Sequence, residues 1–210
     1  LTEKYGGRIV MSGLLLGTSM IAALGYFAHT YSLLLVIGFF YGMCGTSFAV
    51  GIAQVTRWYP AHKQGLALAI FGCANVGTVL AALFAAKITK SWFGGDWHPT
   101  FPIYALPLFI MSFVYFFTVR NAPVPMAAKK MGEMLTVFKH GMLWILCLFY
   151  FVTFGYFVCF SLYLAPFYKF SYSLTPVTAG YLAAIFCFIA SAFRALGGCT
   201  SDKFGAVYTL

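Results

Sequence analysis

Long apolar stretches separated by short polar segments set the plan of this chain. They run roughly from Ile9 to Ala28, Leu33 to Thr56, Gly65 to Ala86, Phe101 to Val119, Gly141 to Pro166 and Pro176 to Leu196. About 20 apolar residues in a helix cross the hydrocarbon core of a bilayer with every backbone N–H and C=O bonded internally. The pattern therefore predicts an all-α membrane protein of about six transmembrane helices, with the lipid bilayer as its solvent.

Composition sharpens this expectation. Of 210 residues, 62% are hydrophobic, 20% aromatic and only 8% charged, whereas soluble domains carry roughly a quarter charged residues. A water-soluble fold is nearly excluded. The net charge of +9 is not read as a nucleic-acid footprint, because the basic residues are spread between apolar runs without a basic cluster or a stacking platform. They carry topology instead. One set of loops holds Lys4, Arg8, Arg57, Lys63, Arg120, Lys129, Lys130, Lys139 and Lys203, the other only Lys87, Lys90 and Lys169. This asymmetry places both ends of the chain in the cytoplasm, in a multi-pass protein of the plasma membrane.

The six cysteines, Cys44, Cys73, Cys147, Cys159, Cys187 and Cys199, fall in or beside apolar runs without CxxC or Cys/His spacing. They read as small packing residues, with neither a metal nor a cofactor implied. An enzyme is not expected either, since no nucleophile, base and acid cluster or nucleotide loop is visible. The opening Leu-Thr-Glu-Lys has neither an initiator Met nor a signal-peptide pattern, and reads as the start of a piece of something longer.

The longest polar stretch, residues 121–140 with its prolines and lysines, predicts a cytoplasmic linker. It would join part of an N-terminal bundle of four helices (1–120) to the start of a C-terminal bundle of two (141–210). A long-range repeat supports duplication: Thr2-Glu3-Lys4-Tyr5-Gly6-Gly7 matches Ser201-Asp202-Lys203-Phe204-Gly205-Ala206 in residue class and order, as expected for a fold built from repeats. Each copy is expected to form a tight turn at the cytoplasmic end of a helix. Small residues recur at helical spacing at Gly13 and Gly17, at Gly38 and Gly42, and through Gly65, Ala69, Cys73, Gly77, Ala81 and Ala85. Such stripes predict close helix contacts.

Polar residues at membrane depth are few. All four acids, Glu3, Asp96, Glu133 and Asp202, fall in loops, which argues against a cation pathway within these helices. Asn75 and Arg194 lie inside apolar spans. Asn75 could serve as an interhelical hydrogen-bonding residue or as a donor to an anion. Arg194 could snorkel to an interface; alternatively it faces the interior, where its cost of about 2.5–3.5 kcal/mol on insertion scales calls for a neutralising partner. No acid in these spans can be that partner. A planar oxyanion could be, because the guanidinium fork presents paired donors and keeps its charge.

Several segments carry a family resemblance. They are Arg57-Trp58-Tyr59-Pro60-Ala61-His62-Lys63-Gln64-Gly65 leading into Gly72-Cys73-Ala74-Asn75-Val76-Gly77, then Tyr150-Phe151-Val152-Thr153-Phe154-Gly155, and Phe193-Arg194-Ala195-Leu196-Gly197-Gly198 followed by Ser201-Asp202-Lys203-Phe204-Gly205. Together they resemble the nitrate/nitrite porters of the major facilitator superfamily. The resemblance implies an incomplete major-facilitator fold, the third to the eighth of twelve helices, from a protein that is monomeric at full length. It implies that Arg194, Asn75 and Tyr150 contact nitrate or nitrite, that Phe48 and Phe154 sandwich the flat anion, and that Gly72 and Gly77 support a rocking motion. Gly197, Gly198, Asp202, Lys203 and Gly205 belong to the motif region on the eighth helix and its following loop. The family's second arginine has no match here, and Ala74 and Ala195 stand where the family often has glycine and proline. The function implied is alternating-access transport of nitrate and/or nitrite in nitrate assimilation, with anion exchange an attractive mechanism. Transport of a small organic anion such as formate or oxalate, or a nontransporting sensor or structural role, remains open at this point.

Overall fold

The computed structural model describes residues 2–121, 132 and 135–205. Its helices are α1 (Thr2–Tyr5), α2 (Gly7–Leu24), α3 (Tyr31–Tyr41), α4 (Thr46–Trp58), α5 (Gln64–Gly72), α6 (Val76–Trp92), α7 (Thr100–Thr118), α8 (Gly141–Ser171) and α9 (Pro176–Phe204). No strand occurs among the described residues. Two single-turn 3-10 segments, Gly42–Gly45 and Cys73–Asn75, join α3 to α4 and α5 to α6. Among the described residues, six spans are thus long and apolar enough to cross a membrane: Gly7–Phe27, Tyr31–Trp58, Gln64–Ala81, Thr100–Thr118, Gly141–Ser171 and Pro176–Phe204.

Local chemistry explains several boundaries. The Thr30 side chain accepts from the Leu33 N–H at 3.4 Å and caps α3. Thr175 does the same for α9 through Thr178 N–H at 3.3 Å, with Pro176 at the first helical position, where a missing N–H costs nothing. Pro166 does not end α8, which continues to Ser171.

The expected tight turns at the repeated motif are instead helical. Thr2–Tyr5 and Ser201–Phe204 are helical turns, each followed by a glycine in the left-handed region, Gly6 at φ 82° and Gly205 at φ 87°. Both glycines donate back to the first residue of the motif, Gly6 to Thr2 at 3.1 Å and Gly205 to Ser201 at 3.0 Å. The acid, base and aromatic residues thus fill one helical turn, and the glycine stops it. Ala206 of the second copy lies outside the described residues.

The chain divides into two compact units: Leu1–Phe71, Lys87–Met126 and Leu196–Leu210 form one, Gly72–Ala86 and Ala127–Ala195 the other. One of its cuts, between Met126 and Ala127, falls inside the bundle boundary expected at 121–140, most of which lies outside the described residues, and the others fall within helices.

In the first unit α2 packs on α7 and α4. Gly7 and Gly25 on α2 and its extension abut Gln54 and Phe101 so closely that a Cβ would collide with either side chain. Polar groups inside this packing are paired: Ser112 Oγ donates to the Ser12 carbonyl at 2.8 Å, and the Tyr115 hydroxyl donates to Gln54 Oε1. Also within this unit, Gly65 lies against Gly198, and a Cβ on Gly198 would fall 2.6 Å from the Gly65 carbonyl oxygen. The Asp202 carboxylate accepts from the N–H groups of Gly65 at 2.9 Å and Leu66 at 2.8 Å, placing negative charge at the start of α5.

In the second unit Val79, Ala184 and Cys187 form a small buried core, with Leu83 and Phe186 packed against it. The small-residue stripe therefore makes close contacts along only part of its length. Gly77, like Gly13, Gly17, Gly38 and Gly42, has no atom within 4 Å of where a Cβ would stand; small size there is not used for a helix contact among the described residues.

Candidate functional site

The site lies in the second unit, where α8 and α9 face each other. A cavity of about 350 Å³ is lined by Tyr150, Thr153, Phe154, Phe157, Ala190 and Arg194. The four α8 residues follow i, i+3, i+4, i+7 spacing and the two α9 residues i, i+4, so each helix contributes one face. A larger groove of about 460 Å³ is lined by Leu146, Cys147, Tyr150, Phe151, Phe154 and Gly155. All of these belong to α8, and none is charged. The chemistry therefore belongs to the smaller cavity.

Arg194 supplies its charge. The guanidinium carbon lies 5.1 Å from the Phe157 ring centre and 5.6 Å from that of Phe154, within cation–π range. Such contacts leave the N–H donors free to bond in the guanidinium plane. Among the described residues none offers Arg194 a carboxylate: Asp96 pairs with His98, and Asp202 is taken up by two backbone N–H groups. Tyr150 stacks on Phe154 with ring centres 5.1 Å apart and planes 11° from parallel. Gly72 completes the surroundings, since a Cβ there would stand 3.4 Å from a terminal guanidinium nitrogen.

Near the arginine two buried polar side-chain atoms are unpaired. Asn75 occupies the 3-10 turn between α5 and α6, and its buried Nδ2 has no hydrogen-bond partner; the amide nitrogen does not make the interhelical bond that the sequence left open. The Ser191 hydroxyl, one turn before Arg194 on α9, is likewise buried and unpartnered. Each such group costs about 1–3 kcal/mol. The Cys73 thiol donates to the Ser191 carbonyl at 3.1 Å and ties the two elements together.

The structure thus brings Tyr150, Phe154 and Arg194 into one cavity. Asn75 lies in the same unit but does not line it, and Phe48 belongs to the first unit, where its ring stacks on Phe71 at 5.5 Å. Gly77 and Gly197 contact nothing within 4 Å of a Cβ, and Gly198 is a packing position. Lys203 is exposed on the last turn of α9. Sequence reasoning missed Thr153, Phe157, Ala190 and Ser191; counting helical turns outward from Tyr150 and Arg194 would have found the first three. Thr153 Oγ1 donates back to the Phe149 carbonyl at 2.8 Å, so its proton is taken up within α8. The cysteines of the described structure are free thiols, and no cluster of metal ligands occurs among the described residues.

Fold and site together define a multi-pass helical membrane protein with a charged cavity walled by aromatic rings. The family model for the Major Facilitator Superfamily matches residues 1–210, and the chain belongs to that superfamily. It is 36% identical over 216 residues to a protein of Thermus thermophilus named probable nitrate/nitrite antiporter, covering 98% of this chain and 49% of the relative. It is 33% identical over 183 residues to one of Staphylococcus epidermidis named probable nitrate transporter, covering 87% and 46%. To the nitrite extrusion protein of Bacillus subtilis it is 34% identical over 168 residues, covering 79% and 41%. The chain spans about half the length of the curated relatives it matches. No solved structure matches it significantly.

Proposed function

We propose that the chain is the middle part, helices three to eight of twelve, of a secondary transporter that carries nitrate and/or nitrite across the plasma membrane by alternating access. The carrying observation is the Arg194 guanidinium in a cavity with Tyr150, Thr153 and Phe154, with no carboxylate partner among the described residues. A fixed positive charge in an apolar bundle favours an anion. Flat aromatic faces favour a flat one, and the fork geometry of the guanidinium suits two oxygens of a planar oxyanion. The names of the relatives agree with this cargo.

Under this reading Arg194 captures the anion, Tyr150 and Asn75 contact its oxygens, Phe154 supports one face, and Phe48 approaches it at another stage of the cycle. Binding must be weak enough for release. Residues 121–140 form the cytoplasmic link between the two bundles, and both ends of this chain are cytoplasmic. The full-length protein, monomeric in the membrane, exchanges one anion for another.

The test is nitrate uptake into proteoliposomes by the full-length parent carrying Arg194→Lys. Loss of the bidentate fork removes charge-assisted hydrogen bonds of about 1.5–3 kcal/mol, a fall of roughly ten- to a hundredfold in uptake at low nitrate. Unchanged uptake refutes the role. Uptake that formate or oxalate blocks as well as nitrate does would transfer the site to an organic anion.

A further inference from the structure

Five hydroxyl side chains are buried among the described residues: Ser12, Thr18, Ser19, Ser112 and Ser191. Four are satisfied by a main-chain carbonyl, Ser12 by that of Arg8, Thr18 by Leu14, Ser19 by Leu16 and Ser112 by Ser12, at 2.7–2.8 Å. For Ser12, Thr18 and Ser19 this is the ordinary behaviour of serine and threonine in an apolar helix, where the preceding turn offers the nearest acceptor; Ser112 reaches a carbonyl of the neighbouring helix instead. Ser191 departs from it. Its residue is 0% exposed, yet its hydroxyl bonds to nothing.

The neighbourhood explains what the hydroxyl faces. Within the second unit the 3-10 turn and α6 run beside α9 in opposite directions: Gly72 lies at the level of Arg194, Cys73 at Ser191, and Val79 at Ala184 and Cys187. Asn75 therefore falls between the Ser191 and Cys187 levels, and its Nδ2 is the other buried unpartnered side-chain atom among the described residues. Ser191 precedes Arg194 by one helical turn and adjoins Ala190, which lines the cavity with it. Two neutral donors without an acceptor thus lie within about one helical turn of each other along α9, on the Cys187 side of Arg194.

We propose that Ser191 is a specificity-determining residue for the cargo: with Asn75 it forms a neutral subsite that takes one oxygen of a small oxyanion whose other oxygens lie on Arg194. The inference rests on the reading of Arg194 as an anion site. A hydroxyl and an amide N–H add no charge, so they distinguish anions by the presence and placement of an acceptor oxygen. Arg194, by contrast, attracts any anion. An orphaned donor also penalises anions that cannot fill it, which makes the subsite selective as well as attractive.

The experiment uses the full-length transporter in proteoliposomes, with Ser191→Ala, Asn75→Ala, the double variant and Arg194→Lys. Removing the hydroxyl should raise the KM for nitrate about fivefold to tenfold with little change in maximal rate, while the Tm of the anion-free protein holds or rises, since an unpaired buried group is gone. The double variant should raise KM by less than the product of the two single effects, because both donors share one oxygen. A hydroxyl that only packs would alter Tm and leave KM untouched. If Ser191→Ala leaves KM unchanged while Arg194→Lys cuts uptake at low nitrate by roughly ten- to a hundredfold, the subsite is overturned and the anion site stands. If Arg194→Lys transports normally, the parent reading falls first.

Discussion

Arg8 and Arg194 are both arginines on apolar helices set against aromatic rings, and they are treated differently. In the first unit, Arg8 lies 4.3 Å from the Phe116 ring centre, its Nε donates to the Phe116 carbonyl at 2.6 Å, and its own N–H reaches Asn121 Oδ1 at 3.0 Å. Arg194, in the second unit, has rings and a cavity. The same contrast separates Gln54, held by Tyr115, from Asn75, whose amide nitrogen is held by nothing. Polar groups in the first unit close on protein partners and contribute to stability. The Asn75 amide nitrogen and the Ser191 hydroxyl near Arg194 stay open at a cost in stability, as expected of a site that takes a ligand.

The comparison can be broken from the side of the first unit. The largest effect is expected from Gly198→Ala, whose Cβ would press on Ala69 and the Gly65 carbonyl. Overpacking of this kind costs about 1–3 kcal/mol, so Tm of the full-length protein should fall by several degrees while the KM for nitrate of the folded protein holds. A changed KM with unchanged Tm would mean that this contact belongs to the transport site. Tyr115→Phe should act more weakly, because a membrane hydrogen bond contributes about 0.6 kcal/mol on average. It leaves Gln54 Oε1 without its donor, and a small drop in Tm without loss of uptake is expected.

The smallest effect concerns the loop before α7. Backbone and side-chain hydrogen bonds from His98 hold the Asp96 carboxyl below its ordinary pKa. A lowered folded pKa contributes stability above the ordinary value of about 3.9 and loses it as pH falls through the folded value. Tm measured against pH should show wild type ahead of Asp96→Asn at neutral pH, with the gap closing only in acid. A gap independent of pH would contradict the pairing.

Much of the fold was legible because each span needs only about twenty apolar residues in a row, and no local feature can hide that. The 3-10 turns at Gly42–Gly45 and Cys73–Asn75 were not, because the apolar character runs straight through them. Polarity beyond Leu196 predicts that α9 ends there, yet Thr200, Ser201, Asp202 and Lys203 are compatible with helix; Gly205 in the left-handed region ends it. Pro166 misled in the same way, since it removes one N–H from a helix that continues past it to Ser171. In the site, Arg194 stood out as a lone charge, and its neighbours Tyr150 and Phe154 came from the resemblance. Phe157 was hidden among many aromatics on α8. Ser191 was hidden more deeply: a serine beside alanine carries no pattern, and its missing hydrogen bond exists only in three dimensions.

The most direct test of the contrast is nitrate-dependent thermal stabilisation of the purified full-length protein, compared for wild type, Arg8→Lys and Arg194→Lys. A ligand at a hundred times its Kd stabilises by about 2.7 kcal/mol. Arg8→Lys should lower the starting Tm and keep the upward shift with nitrate; Arg194→Lys should keep the starting Tm and lose the shift. A full nitrate shift in Arg194→Lys, or its loss in Arg8→Lys alone, would contradict the assignment of the open guanidinium to the cargo.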